Sequence, residues 1–196
     1  MTKKSQNIIL YIDGENLKHY IKKVAKKHDK KNAIEKFEFS NMFSSALGSI
    51  IPTYKRYYSA KLRFHQDSPK KSNELIQNQR SLKSKLENQG FIFTIGGNVR
   101  GQKVNINGKT KTIFKEKGVD VKIAVDMVSE TCDKKVNTIV LCSSDSDLQP
   151  AVNEVKKREV EIIYLGFESQ PNKGLIYTCD RSILIRDDEI IKAIKK

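Results

Sequence analysis

"NTIVLCSSDSDLQPAV", residues 137–152, decides how the rest of the chain is read. Its first part is apolar with no polar alternation, which predicts a strand buried on both faces. Two serines and two aspartates follow, Asp145 and Asp147, and residues 147–158 have helical texture. An apolar strand leading through a short polar turn into a helix is the unit of a parallel sheet covered by helices. The two acids admit two explanations. They are caps for the following helix, favoured by its free N–H groups and dipole, or they are oxygen ligands for a divalent cation.

The same unit recurs outward from this stretch. "NIILYID" (7–13) predicts a first strand ending at Asp13-Gly14, and "ENLKHYIKKVAKKHDK" (15–30) a helix with Leu17, Tyr20, Ile21 and Val24 on its apolar face. "PTYKRYYSAKL" (52–62) predicts a second strand. A polar helix over 72–88 carries Leu75, Ile76, Leu82 and Leu86 and is closed by Gly90, before a third strand at "FIFTI" (91–95). Residues 119–132 predict a helix with Val121, Ala124, Val125 and Val128 on one face. The fourth strand is 137–144, the fifth "VEIIYLGF" (160–167), and the chain finishes with a strand "SILI" (182–185) and a helix at 187–196. The expectation is one α/β domain over 1–196, with a terminal strand-helix extension at about 181–196.

Residues 96–118 have a different texture. Asn107-Gly108 between alternating stretches signals a β-hairpin. Arg100, Lys103, Lys109, Lys111, Lys115 and Lys117 face a single acid there, Glu116. The segment is expected to project as a basic hairpin insertion that grips RNA; a solvated loop is the plainer alternative.

With 37 Lys+Arg against 23 Asp+Glu, the net charge of +14 attracts polyanions, foremost RNA and DNA. No apolar run reaches the roughly 20 residues that span a bilayer, and the start of the chain is unlike a signal peptide, so a cytoplasmic protein is expected. Three cysteines and three histidines, all scattered, argue against a disulfide framework or a zinc site.

In a doubly wound sheet, ligands bind beyond the carboxyl ends of the strands where strand order reverses. An order 3-2-1-4-5 puts that point between the first and fourth strands. Asp13 ends the first, Asp145 and Asp147 follow the fourth, and Asp120 lies in the first turn of the helix at 119–132, on the shoulder of its apolar face. Such a cluster repels itself unless it holds a hard cation, Mg²⁺ or Mn²⁺. That site would polarise a phosphodiester and help deprotonate a water. Asp126 follows Lys122 by four, the spacing of an ordinary helical ion pair. Tyr54, Tyr57 and Tyr58 offer stacking surfaces for unpaired bases, although strand alternation buries some of them.

"YIDGENL", "KGVDVKIAVDMV" and "VLCSSDSDLQPAV", in this order, resemble the NYN domain of the PIN-like ribonuclease superfamily, in particular its LabA-like branch. "GLIYTCDRSILI" resembles the closing segment of that family, a helix ending near an acid before a last strand. The resemblance implies a PIN-like three-layer fold and a Mg²⁺- or Mn²⁺-dependent cleft that cuts RNA. It implies Asp13, Asp120, Asp145 and Asp147 as metal-site acids, and Asn16 as a residue that holds substrate or a water on the metal. It further implies that Ser144 supports Asp145 through its hydroxyl, and that Asp126 is a supporting acid. Ser144 and Leu148 stand where the family often has glycine and phenylalanine, and neither change removes a carboxylate.

Other readings fit less well. A haloacid-dehalogenase phosphatase wants an aspartate where Glu15 stands, a Toprim site begins with a glutamate where Asp13 stands, and a dinucleotide fold needs a glycine-rich first turn. A protein of the same fold that binds RNA without cutting it, or docks on a partner nuclease, remains open, as do a homo-oligomer and a protein partner.

Overall fold

The computed structural model describes residues 7–66, 68–106 and 109–195, with the side chains of 100–103, 106 and 109–115 outside the description. In chain order the first half holds β1 (Ile8–Asp13), α1 (Gly14–Lys27), α2 (Ala33–Lys36), α3 (Phe39–Leu47), β2 (Tyr54–Lys61) and α4 (Pro69–Asn88). Next come β3 (Ile92–Ile106), β4 (Lys109–Lys117), α5 (Val119–Cys132), β5 (Thr138–Cys142) and a 3₁₀ turn at Ser146–Leu148. The last elements are α6 (Gln149–Lys156), β6 (Glu161–Phe167), α7 (Lys173–Thr178), β7 (Arg181–Ile185) and α8 (Asp187–Lys192).

The strands form one sheet in the order β4-β3-β2-β1-β5-β6-β7. All neighbours are parallel except β3 and β4. The five central strands foreseen from sequence therefore take the expected order, with β1 between β2 and β5. Every residue of β1 is buried, and its side chains alternate between two cores. Ile8, Leu10 and Ile12 face Leu17, Tyr20, Ile21 and Val24 of α1 together with α3 and α8. Ile9 and Tyr11 face Val119, Ile123 and Met127 of α5 and Val152 and Val155 of α6. This is the three-layer arrangement that a doubly buried parallel sheet requires. No helix among the described residues is long and apolar enough to cross a membrane.

Several local expectations are corrected. The buried face of α5 is Val119, Ile123, Met127 and Thr131, while Val121 and Val125 are 60% and 52% exposed. The helix carries two apolar stripes of equal period, and the one with the longer Ile and Met side chains reaches the sheet. Helix α4 starts three residues early, at Pro69, whose fixed φ suits the first turn. The expected hairpin is present and extends beyond β2, whose last pair with β3 is at Asn98. Strand β3 pairs with β2 over Ile92–Asn98 and runs on to pair with β4. A Cβ on Gly97 would lie 2.2 Å from the Lys117 carbonyl oxygen, so a glycine is needed where β4 returns against β3. The turn residues Asn107 and Gly108 lie outside the described residues.

Candidate functional site

The crevice beyond β1 and β5 collects acids from three separate parts of the chain. Asp13 ends β1 and begins α1. One oxygen accepts the N–H groups of Glu15 (3.1 Å) and Asn16 (3.0 Å), and the other accepts from Asn16 Nδ2 at 2.5 Å. The residue is thus both a helix cap and a fixed, buried carboxylate. Burial pushes its pKa up, the Asn16 and Glu15 hydrogen bonds pull it down, and the charge of Asp145 adds a smaller upward push. Asn16 lies directly on Asp13 and holds its orientation.

After β5 the chain enters a turn fixed from two sides. The Asp145 N–H donates to Ser143 Oγ at 3.1 Å, and Asp145 Oδ1 accepts the Asp147 N–H at 2.9 Å. Asp145 is therefore the cap of the 3₁₀ turn that precedes α6. The serine whose hydroxyl meets Asp145 is the fully buried Ser143, whereas Ser144 is held through its carbonyl, which accepts from Asn172 Nδ2 at 2.9 Å. Asn172 also caps α7 by accepting the Leu175 N–H, so α7 anchors the acidic turn. Sequence reading gave Asn172 no role, because nothing local links it to a turn 28 residues earlier.

Asp120, in the first turn of α5, completes a group with Asp145 and Asp147: one carboxylate oxygen from each lies within 4.8 Å of the others. Capping and clustering thus coexist. Three carboxylates this close repel one another in the partly buried crevice unless a cation lies between them. An all-oxygen donor set suits Mg²⁺, Mn²⁺ or Ca²⁺ rather than a thiolate-seeking metal. Asp126, farther along α5, accepts from Lys122 Nζ at 2.5 Å and from the Tyr58 hydroxyl at 2.9 Å. Tyr57 and Tyr58 are buried, and Tyr57 donates to the Gly14 carbonyl at 3.0 Å, so of the three tyrosines only Tyr54 is exposed.

The hairpin cations fall largely outside what is described. Only Lys117 among them has a described side chain, and it is exposed; those of Arg100, Lys103, Lys109, Lys111 and Lys115 lie outside the described residues. Their one acidic neighbour turns inward instead. Burial, then the charges of Glu15 and Asp13, push the Glu116 carboxyl up to about 7, against a downward pull from Lys18. Glu116 sits at the base of the hairpin, opposite Val99 and just past the last pair of β2 with β3, and this placement brings it toward Glu15 and Asp13.

Because the folded-state pKa of Glu116 is raised, its contribution to stability is present at acid pH and is lost as pH climbs toward about 7. Glu116→Gln should therefore flatten the melting temperature between about pH 5 and about pH 8 and exceed the unaltered protein at the upper end. Melting curves across that range check this; parallel curves would show that Glu116 titrates as an ordinary exposed glutamate.

A crystal structure of a protein of unknown function from Vibrio parahaemolyticus is similar over 96% of this chain and 98% of its own, with a TM-score of 0.55 at 17% identity. That likeness is one of fold. No curated protein matches the sequence significantly. The NYN domain matches residues 7–186, a span that holds every element from β1 to β7 and all four crevice aspartates. The chain belongs to the NYN domain family, within the PIN-like nuclease superfamily.

Proposed function

We propose that this protein is a divalent-metal-dependent ribonuclease of the LabA-like NYN branch, a single domain over residues 1–196 that hydrolyses phosphodiester bonds of single-stranded RNA in the cytoplasm. The observation that carries the reading is the convergence of Asp120, Asp145 and Asp147 within 4.8 Å at the sheet's switch point. It occurs in a chain whose net charge is +14. Acids at the centre and cations around them suit a polyanion that must be held and then cut.

Asp120, Asp145 and Asp147 would hold the Mg²⁺ or Mn²⁺, with Asp13 beside them. A cation bound there supplies Lewis acidity to the scissile phosphate and neutralises charge as it develops. The protein's own part is positional. Ser143 and Asn172 fix the turn that carries Asp145 and Asp147, and Asn16 fixes Asp13. Buried in the wall of the crevice, Asp13 strengthens the attraction for a cation.

The test is to offer the purified protein end-labelled single-stranded RNA, duplex RNA and DNA in Mg²⁺ or Mn²⁺. Shortening of single-stranded RNA supports the proposal. RNA that is bound and never shortened points to a non-cleaving RNA-binding or adaptor protein.

The basic hairpin is proposed as one grip on that RNA, through Arg100, Lys103, Lys109, Lys111, Lys115 and Lys117. Lys109→Glu with Lys111→Glu should weaken binding and make its salt dependence shallower by about 1.4, since each lost phosphate contact of a single strand removes about 0.7 from the slope. An unchanged slope in a salt titration would assign the hairpin another role.

A further inference from the structure

We propose that the groove between α1, α2 and α4 is a track for a single-stranded stretch of RNA leading away from the acids, a reading that rests on the proposed RNA substrate. The groove measures about 890 Å³. Its inner end is bordered by Glu15 and Glu116 and by Ser59 and Ala60 at the carboxyl end of β2, beside Asp13. From there it follows α1 toward the C-terminus of that helix.

One wall carries Lys18, Lys22 and Lys26. Four-residue spacing places them on one helix face about 6 Å apart, a rise comparable to the step between phosphates along a sugar–phosphate backbone. Lys18 pairs with Glu15 at 2.6 Å, while Lys22 and Lys26 are exposed and form no ion pair among the described residues. The facing wall, α4, presents Leu75 and Leu82 with the amide of Asn78 between them. Gln79 donates to Ser59 Oγ at 3.0 Å and to the Ala60 carbonyl at 2.7 Å, and Lys85, toward the outer end, donates to the Glu35 carbonyl at 2.5 Å. Cations line the groove seven to four over acids.

Cationic stripes opposite apolar and amide side chains match a nucleotide strand with phosphates on one side and bases on the other. A volume at the upper end of the range for small-molecule clefts holds a few linked nucleotides and excludes a duplex. The base of the hairpin, Val99 and Glu116, borders the inner end of the groove, so the hairpin and the groove adjoin.

The experiment measures binding of a labelled single-stranded 12-mer RNA in EDTA, where cleavage does not interfere, for the full chain and for Lys22→Gln with Lys26→Gln. Neutralising two phosphate contacts should weaken binding by about 25-fold at about 0.1 M salt and make the salt slope shallower by about 1.4. Lys157→Gln with Lys192→Gln, two exposed lysines outside the groove, should change neither. Unaltered affinity in the groove variant, or an equal loss in both variants, overturns the groove. An equal loss for duplex RNA overturns its single-strand character. Failure of the unaltered protein to bind RNA overturns the groove together with the RNA reading. Binding that depends on the groove but is never followed by cleavage supports the groove and defeats only the nuclease.

Discussion

Asp145→Asn all but abolishes RNA cleavage on this account, while RNA affinity in EDTA and thermal stability stay close to those of the unaltered protein. Asparagine caps a helical turn as well as aspartate does, so its side-chain oxygen can keep accepting the Asp147 N–H that now lies at 2.9 Å. The backbone N–H of residue 145 can keep its bond to Ser143 Oγ. What is lost is one negative charge among three carboxylates whose oxygens lie within 4.8 Å. Cation-assisted stabilisation of a phosphoryl transition state is worth several kcal/mol, and each 1.4 kcal/mol is tenfold, so the rate should fall by about 10²–10⁴. In EDTA, with no cation in the site, removing one acid from among phosphates lowers repulsion and does not weaken RNA binding. Single-turnover cleavage and a binding titration of the same preparation check both halves. Undiminished cleavage would remove Asp145 from the mechanism.

Gly14→Ala should cost more stability than any exposed substitution in this chain. A helix interior ordinarily gains about 1 kcal/mol when alanine replaces glycine. At Gly14 the sign reverses, because a Cβ would lie 2.4 Å from Tyr57 Cε1 and 2.4 Å from the Tyr58 carbonyl oxygen. The Tyr57 ring is buried, and its hydroxyl is tied to the Gly14 carbonyl, while the Tyr58 oxygen belongs to the sheet backbone, so neither gives way easily. Overpacking of this kind costs up to about 3 kcal/mol. For a chain of this length that lowers the melting temperature by about 6–12 °C. The strain falls next to Asp13, so Mn²⁺ affinity should fall as well. A melting temperature equal to or above that of the unaltered protein would mean that α1 can move away from β2, and that the Asp13 geometry is less fixed than described.

The parts of this fold legible in the sequence are those that depend on period and composition. The apolar runs of β1, β5 and β6 announced strands buried on both faces, and short helices between them implied parallel neighbours. Of the four acids to which the resemblance to the NYN domain pointed, Asp120, Asp145 and Asp147 have carboxylate oxygens within 4.8 Å of one another, and Asp13 is not in that group. Less legible was whatever depends on orientation within an element. Helix α5 carries two apolar stripes, and only packing decides that Val121 and Val125 stay outside. Ser143 and Ser144 are adjacent and chemically identical, and the direction in which β5 ends selects the first as the hydroxyl beside Asp145. Helix α3 drew no notice in the sequence, although Phe39, Met42 and Phe43 supply much of one core. Glu116 was hidden by its own segment, since a basic hairpin reads as solvent-exposed until its first strand is seen to continue from the sheet.

The central claim is that acids at the β1–β5 switch point serve a metal-dependent cleavage of RNA. It is tested most directly by stripping the purified protein with EDTA, adding end-labelled single-stranded RNA, and then restoring Mn²⁺. The account predicts intact RNA until Mn²⁺ is restored and discrete shortened products afterwards, none of them with Asp145→Asn. Cleavage that proceeds unchanged in EDTA, or RNA that stays whole at saturating Mn²⁺ while bound, would contradict it.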